Sequence, residues 1–137
     1  MKAYPHAGGW LLRIDRGERI IERLKAFAEE QDLEGGTFTG IGGIRETTLG
    51  YYDLDQKRYL KREFPGPHEL LSLIGNISLS DNRSVVHAHA TIGGPDLQIS
   101  GGHLVEAEVA LTAEIAIAPG PPLHRKPDQT SGLNLLS

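Results

Sequence analysis

Three observations predict an α+β fold in which a mainly antiparallel sheet packs against one main amphipathic helix. Only the stretch from Asp15 to Asp32 carries apolar residues at helical spacing. Most of the chain from Thr37 to Ile117 instead alternates apolar and polar residues with a period of two. The segment from Pro119 to Ser137 holds Pro119, Pro121, Pro122 and Pro127, so it cannot join a central strand and reads as an extended tail ending in Leu133, Leu135 and Leu136. A chain of 137 residues with 39% hydrophobic content suits one compact domain, 1–137, and leaves no room for a second.

In chain order, Trp10 to Ile14 reads as a short strand leading into the helix, about 15–32. Asp15 and Glu18 have capping-box spacing, and Ile20, Ile21, Leu24, Phe27 and Ala28 form one apolar face. Glu22, Arg23, Lys25 and Glu29 mix both signs on the other face, which fits a helix covering a sheet and not one lying on a membrane. Gly35 and Gly36 supply the stop, with fraying between Gln31 and Gly36. Thr37 to Ile44 and Glu46 to Leu54 are then two strands, and Asp53 to Arg58 is a hairpin connection into Arg58 to Phe64. The glycines of Gly40 to Ile44 lack the Lys-Ser/Thr ending of a phosphate loop and precede no helix, so they mark a bulge or a close backbone approach. Pro65-Gly66-Pro67 breaks the chain before Glu69 to Leu79, a nearly continuous apolar strand.

Ser80 to Arg83 turns that strand into its antiparallel neighbour, Val85 to Ile92. There Val86, Ala88, Ala90 and Ile92 face one way, while His87, His89 and Thr91 face the other. Two imidazoles two residues apart on a strand stand about 6 to 7 Å apart at the backbone, close enough to converge on one ion. Gly93-Gly94-Pro95-Asp96 returns the chain, and Gly101-Gly102-His103 brings a third imidazole within reach of the pair. After it, Val105, Ala107, Val109, Leu111, Ala113, Ile115 and Ile117 line a core face. His87, His89 and His103 thus form a candidate metal site. With no cysteine in the chain, imidazole and carboxylate are the available ligands for a transition metal such as zinc, and three of them leave a fourth position open. Glu106, Glu108 and Glu114 are the candidate carboxylates for supporting that site. His6, His68 and His124 read as surface or hydrogen-bonded residues.

These residues carry a family resemblance over nearly the whole length. Arg16-Gly17-Glu18, GIGGIRETTLGYYD at 40 to 53, Glu69 to Asn76, His87-Ala88-His89, Gly101-Gly102-His103-Leu104, Glu114, Arg125 to Asp128 and Gly132-Leu133 resemble the plants-and-prokaryotes conserved (PPC) domain, which in plants accompanies AT-hook motifs. The pairing of HxH with GGHL is the specific part. The resemblance implies a single α+β domain that assembles as a homotrimer, with a zinc-type site on His87, His89 and His103. In plant members the AT-hook contacts A·T-rich minor groove, and the domain mediates self-association and transcription-factor contacts through a GRFEIL-like segment. Here that segment is Gly66-Pro67-His68-Glu69-Leu70-Leu71, which departs at its second and third positions and keeps Gly66 and Glu69 as candidate partner contacts. No Arg-Gly-Arg-Pro hook occurs in the sequence.

The formal charge of −4 disfavours a broad basic face, so direct sequence-specific DNA binding is not expected. No run of about 18 apolar residues is present and Met1 to His6 lacks the apolar core of a secretory signal, so no membrane association and a cytoplasmic location are expected. The first functional reading is a trimeric metal-binding module with a binding or regulatory role, acting with protein partners or a small-molecule ligand at the metal. A zinc-dependent hydrolase or lyase is second, because no HExxH helix or nucleophile motif accompanies the histidines. A purely structural assembly domain is third.

Overall fold

The computed structural model describes residues 1–137. The elements are β1 (Lys2–His6), β2 (Gly9–Asp15), α1 (Ile20–Glu30), β3 (Gly36–Asp53), β4 (Arg58–Phe64), β5 (His68–Ser80), β6 (Arg83–Gly93), β7 (Ile99–Pro119), β8 (Arg125–Pro127) and β9 (Asn134–Leu136). The predicted class is correct: seven strands form one sheet in the order β1-β2-β7-β6-β5-β3-β4, beside a single helix. Every pairing in it is antiparallel. Because β7 also pairs with β3, the strands β7, β6, β5 and β3 close into a ring. One cluster of 22 buried apolar residues fills the interior and the underside of α1, from Phe38 and Leu73 to Ile20, Leu24 and Phe27. Burial of each large side chain of this kind stabilises the fold by about 1.5 to 3 kcal/mol. No helix is long and apolar enough to cross a membrane.

β7 organises the sheet, and its free stretch explains why the helix begins late. One edge of β7 pairs with β6 from Ile99 to His103 and with β2 from Thr112 to Ile117, which leaves the residues between for another partner. Gly17 to Arg19 takes that place. The Gly17 N–H donates to the Val109 carbonyl (2.8 Å), the Val109 N–H donates to the Glu18 carbonyl (2.9 Å), and Arg19 bridges to Glu108. Arg19 is extended as a result (φ −100, ψ 130), and α1 starts at Ile20, not at Asp15. Half of the expected capping box survives, since the Asp15 N–H donates to Glu18 Oε2 (2.8 Å). The Asp15 carboxylate is taken instead by Arg13 and by the Met1 ammonium.

The helix N-terminus is capped from across the sheet. Glu106 of β7 accepts the N–H groups of Ile21 (2.9 Å) and Glu22 (3.1 Å), which puts a carboxylate at the positive end of the helix dipole. Changing Glu106 to Ala leaves both donors without an acceptor, and a loss of about 1 to 2 kcal/mol is expected, with Gln restoring part of it. A lowered urea midpoint at unchanged m-value is the readout; an unchanged midpoint would mean that water replaces the carboxylate without cost. At the other end, Asp32 and not a glycine takes the left-handed conformation (φ 50), and the Leu33 N–H returns to the Ala28 carbonyl (2.8 Å).

Four further departures from the sequence reading share one cause, which is pairing that local composition does not encode. Lys2–His6 is an edge strand on β2, held in register from Lys2 opposite Arg13 to His6 opposite Gly9. The two strands expected on either side of Arg45 are one strand, β3, bent by register shifts that include the expected bulge between Gly40 and Gly42. Leu111 is 75% exposed and leaves the core face, because the β3–β7 register slips between Gly42 and Ile44 and turns that part of β7 over. The tail is not simply extended: β8 and β9 form a two-stranded hairpin, and His124 bridges to Leu79 at the end of β5.

Candidate metal centre

The pleat of β6 buries Ala88 and Ala90 and turns His87 and His89 to the other side. β7 returns antiparallel with His103 directly opposite His89. The three ring centroids are 5.2 Å (His87 to His89), 5.3 Å (His87 to His103) and 5.7 Å (His89 to His103) apart. One ring nitrogen from each histidine lies within 4.8 Å of the other two. Donor atoms on a tetrahedral zinc are about 3.3 Å apart, given Zn–N bonds of about 2.0 to 2.1 Å, so small side-chain rotations bring these three onto one ion.

A second residue pair holds His103 in place. Gly50 of β3 lies opposite His103, and its missing side chain makes room for the ring of Tyr59, to which a Cβ there would come within 3.0 Å. Tyr59 leans over His103 with ring centroids 4.8 Å apart. His103 Nδ1 is buried and has no hydrogen-bond partner. An imidazole nitrogen left in that state costs stability, and a cation satisfies it. The residues therefore fit a borderline-soft divalent ion such as zinc, which takes neutral imidazole ligands.

Electrostatics keep two of the three rings in the form that metal binding requires. Burial lowers the His87 pKa, and Arg125 and His89 lower it further. Burial, with His87, His89 and Lys61 adding to it, takes the His103 pKa down to about 4 from 6.5. Both rings are thus neutral near pH 7. Between pH 6.5 and about 4 the unfolded chain binds a proton at His103 that the folded chain refuses, so stability falls as the pH is lowered through that window and this contribution levels off below it. Urea midpoints of metal-free protein are expected to drop from about pH 7 to about pH 5, with a shallower slope for His103→Gln. Parallel slopes would refute the assignment.

The glutamates singled out in the sequence lie elsewhere. Glu106 caps α1. Glu108 forms an ion pair with Arg45 through Nε and Nη2. Glu114 is exposed and eleven residues from His103 (114 − 103) on the same strand, about 36 Å of extended chain. None is hydrogen-bonded to the histidines, because β7 carries its residues past the site at about 3.3 Å each. Gly66 lies in the turn between β4 and β5, where its carbonyl accepts from His68 Nδ1 (2.8 Å), and Glu69, near the start of β5, pairs with Gly93, six residues along β6 from His87.

Two contributors were not read from the sequence as site residues. Tyr59 and Arg125 join His87 and His103 along an open cavity of about 360 Å³ that Val85, Val86, Leu133 and Leu135 also line. Arg125 lies in a stretch that carries the family resemblance, but nothing in its spacing ties a tail residue to a histidine strand. A larger depression of about 480 Å³ lies between the end of α1 and the β5–β6 turn. Its lining of Glu29, Asp32, Glu34 and Asn82 brings no metal-ligating set together, so the histidine cavity is the chemically stronger site.

Residues 2–120 match the family described as the Plants and Prokaryotes Conserved (PCC) domain. The chain belongs to that family. Solved relatives of this PCC chain extend the match over its full length. A plant- and prokaryote-conserved (PPC) protein from Pyrococcus horikoshii is 35% identical, with 100% of this chain and 92% of that chain covered and a TM-score of 0.88. A metal-containing protein from Archaeoglobus fulgidus is also 35% identical, covering 100% and 99% at a TM-score of 0.88. A candidate DNA-binding protein from Bacteroides thetaiotaomicron is 27% identical, covering 99% and 96% at a TM-score of 0.96. No curated protein matches the chain.

Proposed function

We propose that this PCC-domain chain is a metal-binding module with a regulatory role, which carries a zinc-type ion on His87, His89 and His103 and works as a homotrimer. The observation that carries the reading is the convergence of three imidazoles, one of which has a buried ring nitrogen without a partner. The metal content stated for the Archaeoglobus fulgidus relative supports it. Assembly is supported by apolar side chains left in water on the outer sheet face, where Ile41 is 57% and Ile74 59% exposed and Leu71 and Leu111 stand near Ile41. The DNA-binding description of the Bacteroides thetaiotaomicron relative supports a role beside nucleic acid. At a net charge of −4 that role runs through protein partners, with bare-domain affinity for duplex no better than non-specific. A hydrolase or lyase is the weaker reading, because a metal-bound water needs a proton acceptor and Glu106 and Glu108 are engaged away from the histidines, with α1 and Arg45.

Elemental analysis and light scattering of the purified full chain test the proposal together. About one metal ion per chain is expected, in a particle of three times the 14.9 kDa chain mass. Metal below about a tenth of an ion per chain after zinc loading would overturn the site, and a monomer at micromolar concentration would overturn the assembly.

A further inference from the structure

Arg125 is a charged group with no opposite charge. The β8–β9 hairpin folds it back onto β5, where Nε donates to Ser78 Oγ (2.7 Å), Nη2 to Asn76 Oδ1 (2.8 Å) and Nη1 to the Asn134 carbonyl (3.0 Å). All three acceptors are neutral, and no carboxylate forms an ion pair with it. A guanidinium has five N–H donors, so two remain without a partner. Asn76 lies opposite His87 in the β5–β6 register, which places this cation beside the histidines.

The permanently charged side chains that act on the rings are cations, Arg125 on His87 and Lys61 on His103, with no carboxylate among them. A divalent ion on the trio would add two more positive charges to a cavity walled by Val85, Val86, Leu133 and Leu135. Apolar walls of that kind strengthen the field inside, and a positive field with open donors selects an anion. A planar guanidinium matches a carboxylate better than a neutral amide, and a volume of about 360 Å³ holds a small molecule with an apolar body.

We infer that this cavity binds a small organic carboxylate, its charged group between the histidine trio and Arg125 and its apolar body against Val85, Val86, Leu133 and Leu135. The inference rests on the metal site proposed above for part of the positive charge. Arg125 supplies the remainder independently of any ion.

Calorimetric titration of the zinc-loaded full chain with hexanoate, hexanamide and inorganic phosphate tests it, with metal content measured on the same samples. Hexanoate is expected to bind at least about tenfold more tightly than either of the others, and Arg125→Gln to lose about tenfold for hexanoate alone. Because Arg125 also anchors the hairpin, Leu135→Asp is a second variant. It puts a negative charge in the cavity wall without touching the guanidinium's hydrogen bonds, and it should weaken hexanoate by several-fold more than hexanamide, which loses only the apolar contact. Equal affinity for hexanoate and hexanamide, phosphate binding as tight as hexanoate, or indifference to both variants would overturn the inference. A chain that takes up no zinc refutes the proposed function instead. In that case the metal-free chain decides the cavity by the same comparison: selectivity for hexanoate that depends on Arg125 sustains it, and its absence overturns it.

Discussion

His87→Ala with His89→Ala is expected to take the bound metal from about one ion per chain to below about a tenth, measured by elemental analysis after zinc loading and desalting. The double change leaves His103 as the sole imidazole, and one imidazole does not compete for zinc against water and buffer. Each single change within the trio should also lower occupancy sharply, since two imidazoles hold zinc poorly. His6→Ala and His124→Ala are the controls. His6 is exposed on the β1 edge, where its Nδ1 accepts the Gly8 N–H (3.1 Å), and His124 is exposed in the tail beside Leu79. Replacing Glu108 should leave occupancy unchanged, because its carboxylate serves Arg45. Metal retained by the double variant would remove the trio as the site, and zinc-dependent turnover sensitive to Glu114 would bring the enzyme reading forward.

Gly75→Val is expected to destabilise the fold by more than about 3 kcal/mol. Gly75 lies between Phe38 of β3 and Ala88 of β6, and a Cβ there would collide with the His87 carbonyl and with the ring of Phe38. Phe38 is 2% exposed and covers the glycine, so the extra methyl groups displace either the ring or the backbone of β6. The same collision moves His87, and metal occupancy should fall together with stability. Phe38→Leu combined with Gly75→Ala should recover part of the loss by giving the new methyl group space, a coupling readable from denaturant midpoints. A Gly75→Val midpoint equal to wild type would show that β5 and β6 can separate at no cost.

The sequence and the fold agree wherever side-chain period alone decides the outcome. Ala88, Ala90 and Ile92 are buried opposite His87 and His89 as strand alternation requires, and Leu24, Phe27 and Ala28 pack beneath the helix as their spacing requires. Disagreement begins where a residue answers to a distant partner. Asp15 and Glu18 have good capping-box spacing, yet the edge of β7 claims Gly17 and Glu18 for pairing and Glu106 caps the helix from 85 positions away. Glu106 and Glu108 look like free strand carboxylates until Ile21 and Arg45 are placed beside them. The trio could be read because two of its members share a strand and the turn signals return the third. Tyr59 and Arg125 could not be read in the same way, because the missing side chain of Gly50 and the tail hairpin bring them in, and neither leaves a local pattern.

The closed ring of strands also sets how fast the chain can fold. β3 and β7 join Gly36 to Pro119, 83 positions apart (119 − 36), and Gly50 to His103, 53 apart (103 − 50). Loops of that length must close before these contacts form, which places the chain among slow folders dominated by non-local pairing, on the millisecond to second scale. His89 and His103, by contrast, are only 14 positions apart (103 − 89) across the β6–β7 hairpin, so the seam that carries the trio closes a much shorter loop than the ring does. An ion held by the trio is expected to slow unfolding, and zinc-accelerated folding would show that this hairpin already forms in the transition state.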